Sequence, residues 1–187
     1  MGAYFSQVAA FLINVISDLI YFVILLRFLF QALRVDVYNP FSQLILKLSN
    51  PLLIPLHKIL PNRSNIDCAS FLLLMTLKGI QLLLLTVIKH HAIPTLFSLF
   101  LWPLGMLLSN SLNIFFFSIV LLALQNWLNP KHYNPLTDVL ISLTEPLLTR
   151  IRRFTPPLMG IDMSPLAALI ILKLIDVLIA IPMMQGV

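Results

Sequence analysis

Charge is scarce in this sequence: only 10% of the 187 residues are Asp, Glu, Lys or Arg, whereas 59% are hydrophobic. A soluble domain carries roughly a quarter charged residues. One of this size could not hide so many apolar side chains in a single core, so the excess must face lipid or neighbouring apolar helices. The mean hydropathy of +0.97 agrees. Cysteine is nearly absent too. With Cys68 alone, an internal disulfide, a cysteine-based zinc site and a CxxCH haem attachment are all excluded, and the redox compartment stays open. Five glycines leave little for a phosphate-cradling loop. No Ser/His/Asp order or paired surface carboxylates stand out, so neither catalysis nor a cofactor is expected. The opening MGAYFSQ lacks Lys and Arg, so the first hydrophobic run is expected to stay as a span rather than to be a cleaved signal peptide.

The net charge of +5 and pI near 9.7 do not indicate nucleic acid. The basic residues are interleaved with apolar runs rather than gathered in a polar domain, which is how cytoplasmic membrane loops are marked.

What is present in quantity is repetition. A shift of 95 residues aligns 38–85 with 133–180 without a gap, and 15 of the 48 pairs are identical. The matches include Asn39/Asn134, Pro40/Pro135, Pro51/Pro146, Pro61/Pro156, Asp67/Asp162 and Lys78/Lys173, which chance pairing of leucines does not explain. The chain is therefore a tandem duplication, divided at 1–92 and 93–187.

Hydropathy gives spans at about 8–30 and 66–88, and the repeat gives their partners at about 103–128 and 161–182, each near the ~20 residues a bilayer core requires. The apolar stretch 93–102 is short and reads as an interfacial or re-entrant piece in preference to the start of one long tilted helix. Two spans per unit make the repeats parallel. Eight Lys and Arg fall in the two loops inside the units (Arg34, Lys47, Lys58, Arg63, Lys131, Arg150, Arg152, Arg153), against Lys89 alone between the units. Both loops are thus expected in the cytoplasm and both termini outside.

The loops themselves are patterned. After Asn39-Pro40, apolar Phe41, Leu44, Ile45 and Leu48 recur at helical spacing, with Ser42, Gln43, Lys47 and Ser49 on the other face. Asn134-Pro135 opens the same pattern in the second copy. A further short helix is expected to begin at Pro51 and at Pro146. Segments of this kind lie in the plane of the headgroups. The expected fold is all-α integral membrane, two tandem parallel repeats, each a span, amphipathic in-plane helices and a second span, with about four transmembrane helices.

EPLLTRIRRFTPPLMGIDMSPL (145–166) resembles the signature loop of the YggT family of small bacterial membrane proteins, and YNPFSQLILKLSNPLLIPLHKILPNRSNID (38–67) resembles its first copy. The likeness extends over nearly the whole chain. It departs at Arg150, where the family usually has proline, and in the first copy at His57-Lys58 for Arg-Arg and Ala69-Ser70 for Ser-Pro. The resemblance implies residence in the bacterial inner membrane as a multi-pass protein without established catalysis. It also implies association with division and cell-shape proteins, with osmotic or cation stress, and, in plastids, with cytochrome assembly.

Four ionisable residues fall near the middle of spans: Asp18, Lys78, Lys173 and Asp176. An unpaired charge at the bilayer centre costs ~3 kcal/mol on insertion scales, so they should pair. Lys173 and Asp176 lie three apart on one helix face. Lys78 has Gln81 at the equivalent place, which leaves Asp18 of the neighbouring span as its counter-ion. Either a proton or cation path or plain structural glue would use such residues, and glue is the plainer reading. Arg27, near the end of the first span, reads as a snorkelling anchor. Lys58, Arg150, Arg152 and Arg153 suit anionic lipid or a protein partner. Asp67 and Asp162 read as helix caps, the latter with Ser164-Pro165 just inside the helix, and either acid could instead hold the loop's basic residues. His57, His90, His91 and His132 are split between the two sides, so no metal site is expected.

Two functions follow as expectations. The leading one is a non-catalytic membrane scaffold or assembly factor whose loops organise anionic lipids or an unidentified membrane or cytoplasmic protein at the inner leaflet. The alternative is a channel or transporter for osmotic or cation balance, which with so few spans would have to be a homo-oligomer.

Overall fold

The computed structural model describes residues 2–60, 67–90, 94–128, 134–155 and 162–185. Helices α1 (Gly2–Ala32), α2 (Pro40–Ile59) and α3 (Cys68–His90) form the first repeat. Helices α4 (Leu96–Leu128), α5 (Pro135–Arg152) and α6 (Ser164–Ile175) form the second, and α6 runs through a π-helical turn (Asp176–Ala180) into the short α7 (Ile181–Gln185). Among the described residues, four helical stretches are long and apolar enough to cross a membrane: Gln7–Ala32, Cys68–Ile88, Leu96–Gln125 and Ser164–Met184. The chain is all-helical with two repeats of one unit, and both units put two spans around one intervening helix.

Spans α1 and α3 pack together in the first repeat, α4 and α6–α7 in the second, and α3 against α4 joins the two. The helices between the spans tuck under these pairs. Val139 and Leu143 of α5 enter the cluster of Ile24, Leu25 and Leu29 from α1, while Leu148 and Ile151 enter that of Ala168 and Leu172 from α6. Helix α5 thereby ties the repeats together.

Two local expectations are corrected. Residues 96–102 belong to one continuous span rather than to a separate interfacial piece, and Pro103 sits fully buried inside it. A break there would leave several backbone groups unpaired in lipid, whereas an interior proline removes one hydrogen bond. Pro51 and Pro146 likewise start no second helix. Pro51 lies within α2 and Pro146 within α5. Two residues before each, Ser49 and Thr144 donate to the carbonyls of Ile45 and Leu140, both at 2.8 Å, a back-bonding habit associated with bent helices.

The structure also shows which face of α2 turns towards the spans. Ser42 and Ser49 are buried with Ile45 and Leu53, while Leu44, Leu48 and Leu52 are exposed. In α5 the equivalents Thr137 and Thr144 are buried as well. Small hydroxylated side chains let a helix approach the spans closely where a leucine would hold it off. In an apolar surrounding the leucines lose nothing by facing outward.

Chain direction changes at defined caps. Helix α1 ends with Arg34 in the left-handed region (φ 55°), and the Val35 N–H donates to the Phe30 carbonyl at 2.9 Å, the six-to-one bond of a Schellman turn. Asn39 and Asn134 begin α2 and α5, accepting from the N–H groups of Phe41 and Thr137, each at 2.9 Å. Both are followed by proline at the first helical position. Asn39 also reaches across the repeats, its Nδ2 donating to the Pro135 carbonyl at 2.7 Å.

Gly105 is where α4 and the end of the fourth span touch most closely. A Cβ there would lie 2.9 Å from Met184 Cγ, 3.1 Å from Met183 Cβ and 3.2 Å from the Ala180 carbonyl oxygen. Gly105→Val should therefore destabilise the bundle by about 1–3 kcal/mol through overpacking. Thermal melts in detergent should show this, and Gly79→Ala, whose added carbon would meet nothing nearer than 3.8 Å, should be close to neutral.

Candidate functional site

Two lysines link the spans of each repeat, and the repeat shift of 95 relates their positions. Lys78 Nζ on α3 donates to Asp18 Oδ1 on α1 at 2.6 Å and to Gln81 Oε1 at 2.8 Å, and lies 4.6 Å from the centre of the Tyr21 ring. Lys173 Nζ on α6 donates to Asn113 Oδ1 on α4 at 2.7 Å, lies 3.6 Å from Asp176 Oδ2, and sits 4.9 Å from the centre of the Phe116 ring. Each ammonium thus has a carboxylate, an amide oxygen and an aromatic face. The carboxylate has changed helix between the copies: position 18 is Asp and its equivalent 113 is Asn, while position 81 is Gln and its equivalent 176 is Asp. In both, the partner across the interface is on the repeat's other span, so the lysine pins two spans together.

The second paired feature joins each loop helix to the start of the following span. His57 Nε2 lies 3.0 Å from Asp67 Oδ1, and Arg152 Nε donates to Asp162 Oδ2 at 3.0 Å; these are again equivalent positions. Asp67 is the more enclosed acid. Its Oδ1 also accepts from the N–H groups of Ala69 (3.1 Å) and Ser70 (3.2 Å), and its Oδ2 from the Ser70 hydroxyl (2.6 Å). Asp162 accepts from the Ser164 N–H at 2.9 Å, with Pro165 next in the first turn of α6. Asp67 thus both caps and clasps, whereas Asp162 clasps from one residue before the N-cap of α6, which is Met163 and not the expected Asp162. Arg152 also binds Glu145 at 2.8 Å, whereas the Lys58, Arg150 and Arg153 side chains stay exposed.

Burial alone would raise the Asp67 carboxyl, but the hydrogen bonds from Ser70 and His57 outweigh it and hold the group below the usual carboxylate range. Asp162 is also held low, first by Ser164 and then by Arg152. Its partner Arg152 is pushed up by the Asp162 hydrogen bond, against slight burial and with help from Glu145.

Arg27 is not aimed outward. Its Nη1 donates to Ser49 Oγ at 3.0 Å and Asn50 Oδ1 at 2.6 Å, fastening α1 to the middle of α2. A small, close helix carrying two acceptors at its midpoint offers the guanidinium a nearer partner than the headgroups. Pro61 and Pro156 lie outside the described residues, as do Arg63, His91, Lys131 and His132, and the side chain of His90 does too. Among the described residues no three His, Cys, Asp or Glu side chains converge as metal ligands would.

Between α1 and α4 lies a cleft of about 980 Å³, floored by Val139, Leu140 and Leu143 of α5. Its polar end gathers Asn14, Asp18, Gln81, Asn110 and Asn113. Gln81 Nε2 donates to Asn14 Oδ1 at 2.9 Å. Asn14, Tyr21, Asn110 and Asn113 were not singled out by sequence reasoning. The available signal was the same shift of 95 carried upstream into the first span, where it pairs Asp18 with Asn113 and Tyr21 with Phe116 as substitutions rather than identities.

Two tests follow from the geometry. Removing the Asp18 carboxylate alone (Asp18→Asn) should cost about 1–3 kcal/mol, because Lys78 is 4% exposed and loses its counter-ion. Asp18→Asn with Lys78→Met should recover most of that loss in bilayer or detergent melts, since no charge then remains to be paired. The second test is acid titration. A carboxyl whose folded pKa is depressed contributes stability that is present above its unfolded pKa and lost as pH falls through the folded one. Stability lost between about pH 5 and about pH 2 should therefore be smaller in Asp67→Asn than in the parent protein.

Comparison with known proteins places these features in a family context. The CCB3/YggT family model matches residues 6–88 and again 101–183. The chain is 34% identical over 175 residues to the uncharacterised protein PA0392 of Pseudomonas aeruginosa, covering 93% of this chain and 89% of that one. It is 33% identical over 172 residues to the uncharacterised protein YggT of Escherichia coli K12, covering 91% and 88%. A protein encoded in the proC 3' region of Vibrio alginolyticus is 34% identical over 163 residues, 86% of this chain and 87% of the relative. No solved structure matches.

Proposed function

Because the chain belongs to the CCB3/YggT family and builds both of its repeats around a clasped loop helix, we propose that it is a non-catalytic scaffold or assembly factor of the bacterial inner membrane. In this reading α2 and α5 lie along the cytoplasmic leaflet and both termini lie outside, as the imbalance of loop Lys and Arg requires. The observation that carries it is the division of labour among the basic residues of α5. Arg152 is consumed in holding Glu145 and Asp162, while Arg150 and Arg153 are exposed beside Phe154, itself 85% exposed. A pair of cations next to an exposed aromatic ring suits an anionic headgroup surface, each charge adding about 1 kcal/mol near such a membrane. Lys58 at the end of α2 adds to the same surface. A protein partner bearing acidic groups at the leaflet would be received by the same residues.

The alternative is an oligomeric channel or transporter for osmotic or cation balance. What favours it is Asp18, whose side chain is 58% exposed in the middle of α1, an arrangement that glue alone does not need.

Arg150→Gln with Arg153→Gln should weaken retention of native-membrane partners or binding to phosphatidylglycerol vesicles by about tenfold or more while leaving thermal stability unchanged, and Arg152→Gln should do the reverse. Equal binding by all three proteins to both targets would remove the leaflet reading. Loss of ionic-stress tolerance in a stable Asp18→Asn, Lys78→Met protein would favour the conduit.

A further inference from the structure

The cleft between α1 and α4 has two unlike ends, and the polar end is incompletely satisfied. Asp18 makes its contacts with Lys78 and Gln81 through Oδ1, which leaves Oδ2 as an acceptor. Asn14 accepts from Gln81 through its oxygen, which leaves its NH2 group as a donor. The Tyr21 hydroxyl is buried beside Asn110 without a hydrogen bond of proper geometry, and Asn110 itself reaches only the Met106 sulfur, at 4.0 Å. Unsatisfied polar groups at this depth are costly, so something must meet them. Towards α5 the same cleft is walled by Phe30, Phe41, Leu140 and Leu143, with no polar group among them.

We propose that this cleft is a binding site for a lipid-like molecule with an uncharged, hydrogen-bonding head and an apolar chain. The volume of about 980 Å³ is at the upper end of small-molecule sites. Asp18 and Lys78 cancel, so a charged head would enter without a counter-ion, whereas a head that both donates and accepts meets Asp18 Oδ2 and the Asn14 NH2 together. Glycerol hydroxyls and primary amides have that capacity. The chain would run down the apolar end to rest on α5. The cleft is reached from the side, since Phe22 and Phe117 on its two walls are 52% and 60% exposed.

The test uses the full chain in phosphatidylcholine vesicles, with Trp102 and Trp127 changed to Phe and Phe117→Trp as the fluorescent reporter in the cleft wall. Brominated monoacylglycerol is compared with the brominated methyl ester of the same fatty acid, which lacks hydroxyl donors. The monoacylglycerol should quench the reporter at a mole fraction about fivefold lower, the worth of one or two hydrogen bonds within a membrane. Asn14→Leu and Asn110→Leu each leave the Asp18–Lys78 pair in place, so these proteins should fold, and each should shrink that preference towards the methyl ester's. Equal quenching by the two esters in the parent protein would overturn the proposal, since the cleft would then hold bulk acyl chains. So would quenching by aqueous iodide, which would make it a water-filled vestibule, or shielding from both esters, which would show it covered by another helix or a second copy of the chain.

Discussion

An ammonium group inside an apolar bundle has to be surrounded, and that requirement fixes how the spans of this protein meet. Lys78 is buried and Lys173 half-exposed, and both fall near the middle of spans, where an unpaired charge is costly. Each draws an oxygen from the other span of its repeat, Asp18 or Asn113, at 2.6 and 2.7 Å. Apolar side chains in lipid give little preference for one helix rotation over another, because the solvent is as apolar as they are. The lysine contacts supply that preference. Once α1 is locked to α3 and α4 to α6, the remaining contacts, from the Gly105 crossing to the α5 cluster, are packed around fixed axes.

The loop helices are held by a second set of polar contacts at the ends of the same spans. His57–Asp67 and Arg152–Asp162 close each loop onto the next span, and Arg27 secures α2 from the first. A helix held at both ends can expose residues without losing its position. That is why Arg150, Arg153 and Phe154 can be spared from structural duty, and why a surface role for them is compatible with a rigid scaffold. The copies differ in strength: the first has an imidazole against a fully enclosed carboxylate, the second a guanidinium shared between two exposed ones.

Much of this was legible in the residues. Span number, the duplication, the charged mid-span positions and the acidic residue before each second span all come from patterns that composition and spacing carry directly. What was not legible depends on the absence of water. Patterning separates leucine from serine, whereas the buried face of α2 mixes Ile45 and Leu53 with Ser42 and Ser49 and leaves Leu44, Leu48 and Leu52 exposed, because small hydroxylated side chains allow close approach to the spans. Pro51 and Pro146 suggest helix starts, and the short apolar stretch 93–102 suggests a separate piece before Pro103. In a span the cost of a broken helix exceeds that of one missing hydrogen bond, so the helix runs on through Pro103; α2 and α5 likewise run through Pro51 and Pro146. Asn113 and Tyr21 escaped notice because neither is charged and neither is matched by an identical residue in the other copy.

The π-helical turn at Asp176–Ala180 has no counterpart in α3, which is α-helical throughout. A turn of this kind accommodates one residue beyond a regular α-helix and so advances the phase of everything after it by about 100°. Directly after it, Met183 and Met184 lie against Gly105. The two copies are thus alike in sequence length but not in angular register, and the ends of α3 and of the fourth span leave their bundles pointing different side-chain rows at α4. Copying the first unit twice would not rebuild this molecule: the last turns of the fourth span are wound differently from those of α3, and they pack against Gly105 within their own repeat.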